Sequence, residues 1–192
     1  MTAMDDNKKD LFERINEEFN SLAPKSIDNK LLSASDKISS KVYSKTGASN
    51  NKISQYCNMA GALASAVAGG SAWEYSQVFG ISMILYAGMH AIQATLSSKR
   101  AEIDKRDIGS KVDEEKIIQY AVQQNARKNE RFRRMGTLGV SIGFGALATI
   151  STIMGVPFNL ALSMYAFSAA AFLDSTAQYF KAAEITPTED SE

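Results

Sequence analysis

The stretch GALASAVAGGSA, residues 61–72, holds only two side chains larger than a hydroxymethyl group, Leu63 and Val67. Three readings compete for it: a flexible linker, the buried heart of a water-soluble bundle, or a helix built to touch other helices inside a bilayer. Its spacing speaks against a linker. Gly61, Ser65 and Gly69 recur every fourth residue, as do Ala60, Ala64 and Ala68. That period puts each set on one helix face, where small side chains let two backbones approach. The same theme returns at Gly139 and Gly143, and again at Ala166 and Ala170. Lipid supplies little hydrophobic force between helices, so association there rests on such close contact.

The surroundings favour the bilayer. From Tyr56 to Leu96, only Glu74 and His90 are ionisable apart from the tyrosines and Cys57. That length is about twice the ~20 residues one spanning helix needs. Gly69-Gly70-Ser71 and the run from Trp73 to Gln77 form a polar, aromatic break, which predicts a hairpin with spans near 56–72 and 78–96. Trp73 and Tyr75 suit a headgroup region. A second apolar block, Met135 to Phe180, carries one formal charge, Asp174, and is divided by Gly155-Val156-Pro157. It predicts spans near 135–154 and 157–175.

The remaining segments are hydrophilic. Residues 1–55 predict two amphipathic helices, near 5–22 and 27–44, with a break at Gly47–Asn51. Residues 97–134 predict a charged helical excursion, with a capping box opening at Ser110 and acidic residues preceding basic ones. Residues 180–192 form an acidic tail. The sequence thus divides into 1–55, 56–96, 97–134, 135–179 and 180–192. Its expected fold class is all-α and integral to a membrane, with two transmembrane hairpins (four spans) joined to N-terminal amphipathic helices and a helical cytoplasmic middle.

Charge predicts the orientation. Residues 97–134 hold eleven Lys and Arg against seven Asp and Glu, the first 55 residues nine against eight, and the two hairpin tips hold no Lys or Arg. Lysine and arginine stay cytoplasmic, so both termini and the middle segment fall inside, as in a bacterial inner-membrane protein. The N-terminal MTAMDDNKKDLFERINEEF has no apolar core of the kind a cleavable signal needs, so the first apolar block is expected to act as the insertion signal.

Chemistry-bearing groups are sparse. The 21 basic and 21 acidic residues balance, and no basic, aromatic-interleaved run suggests nucleic acid. One cysteine and one histidine supply neither a disulfide framework nor a metal site, and no nucleophile, dinucleotide or phosphate-loop motif occurs. The expectation is a non-enzyme without cofactor or metal. His90 and Asp174 are the intramembrane polar candidates, with Asp174 at the cytoplasmic edge. Arg127, Lys128, Arg131, Arg133 and Arg134 are candidates for gripping lipid headgroups or fixing topology. Cys57, at the mouth of the first span, is a candidate for acylation.

The functional expectation is a membrane subunit that oligomerises, or joins other membrane subunits, through small-residue faces. It would contact lipids and cytoplasmic protein partners within a multi-protein envelope machine for secretion, conjugation or phage assembly. Two alternatives stand beside it: a pore-forming or holin-like protein, and a soluble bundle with a buried apolar hairpin.

Overall fold

The computed structural model describes residues 24–103 and 110–183, together with Glu18 and Ser21. These residues form six helices and no strands: α1 (Lys25–Thr46), α2 (Asn50–Ala72), α3 (Gln77–Ile103), α4 (Ser110–Asn129), α5 (Arg131–Ile153) and α6 (Phe158–Ala182). The helix expected over 5–22 lies outside the described residues except for Glu18 and Ser21, as does the tail from 184 onward. The Ser110 side chain, which would make the expected capping box, also lies outside them.

Local chemistry sets the boundaries. Gly47, at φ 65°, ends α1 in the left-handed conformation, and its N–H donates to Tyr43 O. Ser49 then caps α2, its hydroxyl accepting from Lys52 N. The first hairpin turns at 73–76 and the second at 154–157, where Gly155 takes φ 75° and Pro157 precedes the next helix.

One expected break is absent. Gly69 and Gly70 are helical, and α2 runs unbroken to Ala72. A Cβ on Gly69 would lie 3.0 Å from Gly80 O, and one on Gly80 would lie 2.8 Å from the Trp73 ring. The glycine serves a close crossing of α2 and α3 capped by Trp73, so it marks packing where the sequence suggested a turn.

Helices α2, α3, α5 and α6 form an antiparallel bundle. Helix α2 is central, packed along both α3 and α6. Asn50 Nδ2 donates to Ala183 O at one end of the α2–α6 pair (2.8 Å), and Ser163 Oγ donates to Ala68 O near the other (2.9 Å). Helices α5 and α6 are clasped reciprocally: Ser141 Oγ donates to Ser168 O at 2.9 Å, and Ser168 Oγ donates to Ser141 O at 2.8 Å. Hydroxyls and backbone thereby satisfy each other in an interior built largely from alanine, serine and glycine.

Among the described residues three helices, not four, are long and apolar enough to cross a membrane: 77–101, 131–153 and 158–182. The shortfall is α2. It has the length, but its buried face is polar or small at Asn50, Ser54, Asn58, Gly61, Ser65, Ala68, Gly69 and Ala72. Its outward face carries Tyr56, Met59, Leu63 and Val67, with Leu63 71% exposed. Averaging over both faces hides that outer stripe.

Helices α1 and α4 sit at the base, the end holding the N-termini of α2 and α5 and the C-termini of α3 and α6. Asp28 of α1 is buried there and receives Arg134 Nε at 3.0 Å, Arg134 Nη2 at 2.7 Å and Tyr179 OH at 3.0 Å. Asp36 receives both terminal nitrogens of Arg127 at 3.0 and 2.9 Å. These paired bonds dock α1 against the base.

Candidate functional site: a polar seam opening into a cationic cleft

The four-residue spacing of Asn50, Ser54 and Asn58 carries a polar line down α2. At its end away from the base stands His90 of α3, 1% exposed. Its Nδ1 lies 3.4 Å from Asn58 Oδ1, and with the proton on Nδ1 it donates to that oxygen. Its Nε2 is buried without a partner. Gly61 lies flat against the imidazole: an added Cβ would sit 2.9 Å from His90 Cε1 and 3.0 Å from Nδ1.

One helical turn before His90, Tyr86 meets the imidazole edge to face at 4.6 Å between centroids. Its hydroxyl donates to Asp174 Oδ2 across the bundle at 3.4 Å. The other carboxylate oxygen of Asp174 is buried and unpartnered. The seam thus runs Asn58, His90, Tyr86, Asp174 and links α2, α3 and α6. Helix α6 continues two turns past Asp174, to Ala182, beyond the span end expected near 175.

Toward the base the seam opens into a cleft of about 200 Å³ that shares Asn58 with it. Helix α3 contributes Gln93, Ser97 and Arg100, α5 contributes Arg133, and α6 contributes Gln178 and Lys181. On α6 the positions 174, 178 and 181 fall on one face, so the sequence spacing already aligns Asp174 with the cleft residues. Spacing alone does not announce a cleft here, because glutamine and a terminal lysine carry no motif.

The basic run expected to face headgroups is divided by the fold. Arg134, 1% exposed, is sealed against Asp28 and donates to the carbonyl oxygens of Ala126 and Arg127. Arg127 pairs with Asp36, and Arg131 Nε stands 3.7 Å from Asp28. These three hold the base together. Arg133 points the other way, exposed and lining the cleft. Lys128 belongs to α4, and its side chain lies outside the described ones.

The small-residue positions also divide. Gly61, Ser65, Gly69 and Ala170 are buried inside the bundle. Ala166 is partly buried, and Gly139 and Gly143 have open space where a Cβ would stand. The close approach on α5 falls instead at Gly145, whose Cβ would meet Ser168 Oγ at 3.1 Å. Cys57 is half-buried and free.

Gly61 offers a direct test of the seam. Gly61→Val drives a branched side chain into His90 and should cost about 1–3 kcal/mol, as overpacking of tight interiors does. A lowered melting temperature, at roughly 2–4 °C per kcal/mol for a chain of this size, is the measurement. Gly70→Ala, where an added Cβ has open space, serves as the matched control. Equal melting of the two variants would contradict the contact.

No family model, curated protein or solved structure matches the chain, so the seam and cleft are read from their own chemistry.

Proposed function

We propose that the chain is a non-enzymatic integral membrane subunit, with α3, α5 and α6 crossing the bilayer and α2 carried across as their central partner. One observation carries this reading: polar groups are turned inward and large apolar groups outward. Along α3, Val78, Ile81, Leu85, Met89, Ile92 and Leu96 form one exposed stripe. Ile142, Leu147, Ile150 and Ile153 on α5 and Phe158 and Phe172 on α6 are exposed as well, while Ser65, His90, Ser163 and Asp174 are buried. A soluble bundle places these classes the other way round. Contiguous exposed apolar surface on this scale marks contact with lipid or protein.

Helix α2 fits the same solvent despite its composition. Its polar atoms face α3 and α6, and its outward stripe is apolar, so lipid meets little unsatisfied polarity. A 23-residue helix is about 34 Å long, enough for a hydrocarbon layer of about 30 Å. The base, rich in lysine and arginine, then lies on the cytoplasmic side of a bacterial inner membrane, where it offers α1 and α4 to cytoplasmic partners in an envelope assembly.

Assembly is assigned to α5. Gly136, Val140, Gly143, Leu147 and Ile150 fall on one face, and Gly136, Gly139 and Gly143 stand open to a neighbour. A second copy of the chain is the occupant, since a glycine face accepts an identical helix at close range.

The test joins fractionation to cross-linking. Carbonate-washed membranes should retain the protein, and protease added from the hairpin-tip side should leave the base intact. Gly143→Leu should abolish most of the cross-linked dimer while the chain stays in the membrane. Release into the carbonate supernatant would refute membrane integration; undiminished dimer in Gly143→Leu would refute assembly through α5.

A further inference from the structure

We infer that the cleft between α3, α5 and α6 at the base is a binding site for a phosphate-bearing anion. Three cationic side chains, Arg100, Arg133 and Lys181, line one space of about 200 Å³, and among the described residues no acidic one lines it. Like charges gathered around one cavity repel, and a bound anion converts that repulsion into attraction. Lys181 is paired with Glu130, 3.7 Å from its Nζ, and that carboxylate lies outside the lining.

The wall below these charges is polar and preorganised. Gln178 is 5% exposed, lines the cleft, and has both Nε2 and Oε1 buried without a hydrogen-bond partner. An orphaned amide costs the fold its desolvation unless something in the cavity engages it. The amide N–H of Gln178 and the hydroxyls of Ser54 and Ser97 supply neutral donors, while the guanidinium of Arg133 supplies a planar, two-pronged one. That combination of full cationic charge with short neutral donors matches a phosphate oxygen cluster, whereas a lone carboxylate would leave donors unused.

Two sources present this chemistry: the headgroup of an anionic phospholipid such as phosphatidylglycerol, entering past exposed Leu96, and a free phosphate from the aqueous side of the base. The site itself stands whether or not the chain spans a membrane, so its failure is separable from failure of the membrane reading.

The experiment uses the full-length chain, purified in neutral detergent and stripped of lipid. Native mass spectrometry and thermal melting are followed on addition of phosphatidylglycerol, phosphatidylcholine or inorganic phosphate. Phosphatidylglycerol should bind and raise the melting temperature where phosphatidylcholine does not. A response to inorganic phosphate alone identifies the free ion as the source; a response requiring the lipid identifies the headgroup. Arg133→Gln, on an exposed side chain, should weaken binding about tenfold, and Gln178→Met should weaken it further when combined. Arg133→Lys should restore part of the loss. Lys41→Gln, an exposed charge on α1, should leave binding unchanged. Equal response to phosphatidylcholine and phosphatidylglycerol with none to phosphate would overturn the inference, as would equal weakening by Lys41→Gln and Arg133→Gln.

Discussion

Arg134→Met should destabilise the protein by about 3–5 kcal/mol, the usual cost of stranding one member of a buried ion pair. Asp28 would lose both arginine bonds and retain Tyr179 OH as its near donor, with Arg131 3.7 Å away. The loss reaches beyond the pair. Arg134 also donates to the carbonyl oxygens of Ala126 and Arg127, in the last turn of α4, so the substitution uncaps that helix at the same stroke. Helix α1 would keep its outer clamp, Asp36 to Arg127, and the weaker hold of Tyr179 and Arg131 on Asp28.

The consequence is spatially specific. Trypsin or chymotrypsin should cut near the short linker at 47–49 in Arg134→Met much faster than in the parent, while α2, α3, α5 and α6 stay protected. Asp28→Leu with Arg134→Met should recover more than half of the lost stability, because a matched apolar pair carries no stranded charge. Recovery stays incomplete because the α4 carbonyls remain uncapped. A single variant that melts with the parent would show that Asp28 and Arg134 do not meet in the folded chain.

How much of this was legible beforehand depends on which physical signal each feature leaves in the sequence. The two apolar blocks and their turns were legible, since absence of charge over some forty residues and a Gly-Val-Pro step are local signals. The four-residue recurrence in 61–72 was legible as a helix face. Which neighbour the face meets was not: Gly61 packs on His90, twenty-nine positions away, and only the turn at 73–76 brings them together. The expectation of a fourth apolar span at α2 failed for a related reason. A mean over both faces cannot distinguish a helix with polar residues inside from one with polar residues outside.

The basic run shows the same limit at finer scale. Arg131, Arg133 and Arg134 are nearly adjacent in sequence, yet about 100° of rotation per residue sends Arg134 into the protein and leaves Arg133 on the cleft. Sequence spacing alone gave them one shared role. The break at Glu130, which separates α4 from α5, sets the phase of that rotation, and nothing about a glutamate between asparagine and arginine announces it.

Leu85→Arg should cost about 2.5–3.5 kcal/mol of membrane insertion, the range for a charge at the centre of a spanning helix. Leu85 is 66% exposed and lies nine residues into the 25-residue apolar segment 77–101. Under the proposed bilayer reading a guanidinium there would face lipid, because the buried polar seam of Tyr86 and His90 lies on another side of α3. The expected readout is a chain that is degraded or left in the soluble fraction in cells, with the helices still foldable in detergent. Leu85→Ala gives the scale for simple loss of apolar area, and Lys99→Leu, at the hydrophilic end of the same helix, should be harmless to insertion. The contrast separates lipid from water as the solvent of this face. A water-exposed Leu85 would accept arginine with little penalty, since exposed substitutions lie within about 0.5 kcal/mol of neutral and a charge there improves solubility. Membrane-bound, stable Leu85→Arg at the level of the parent would therefore remove the bilayer from the account and leave the outward apolar stripes to a protein partner.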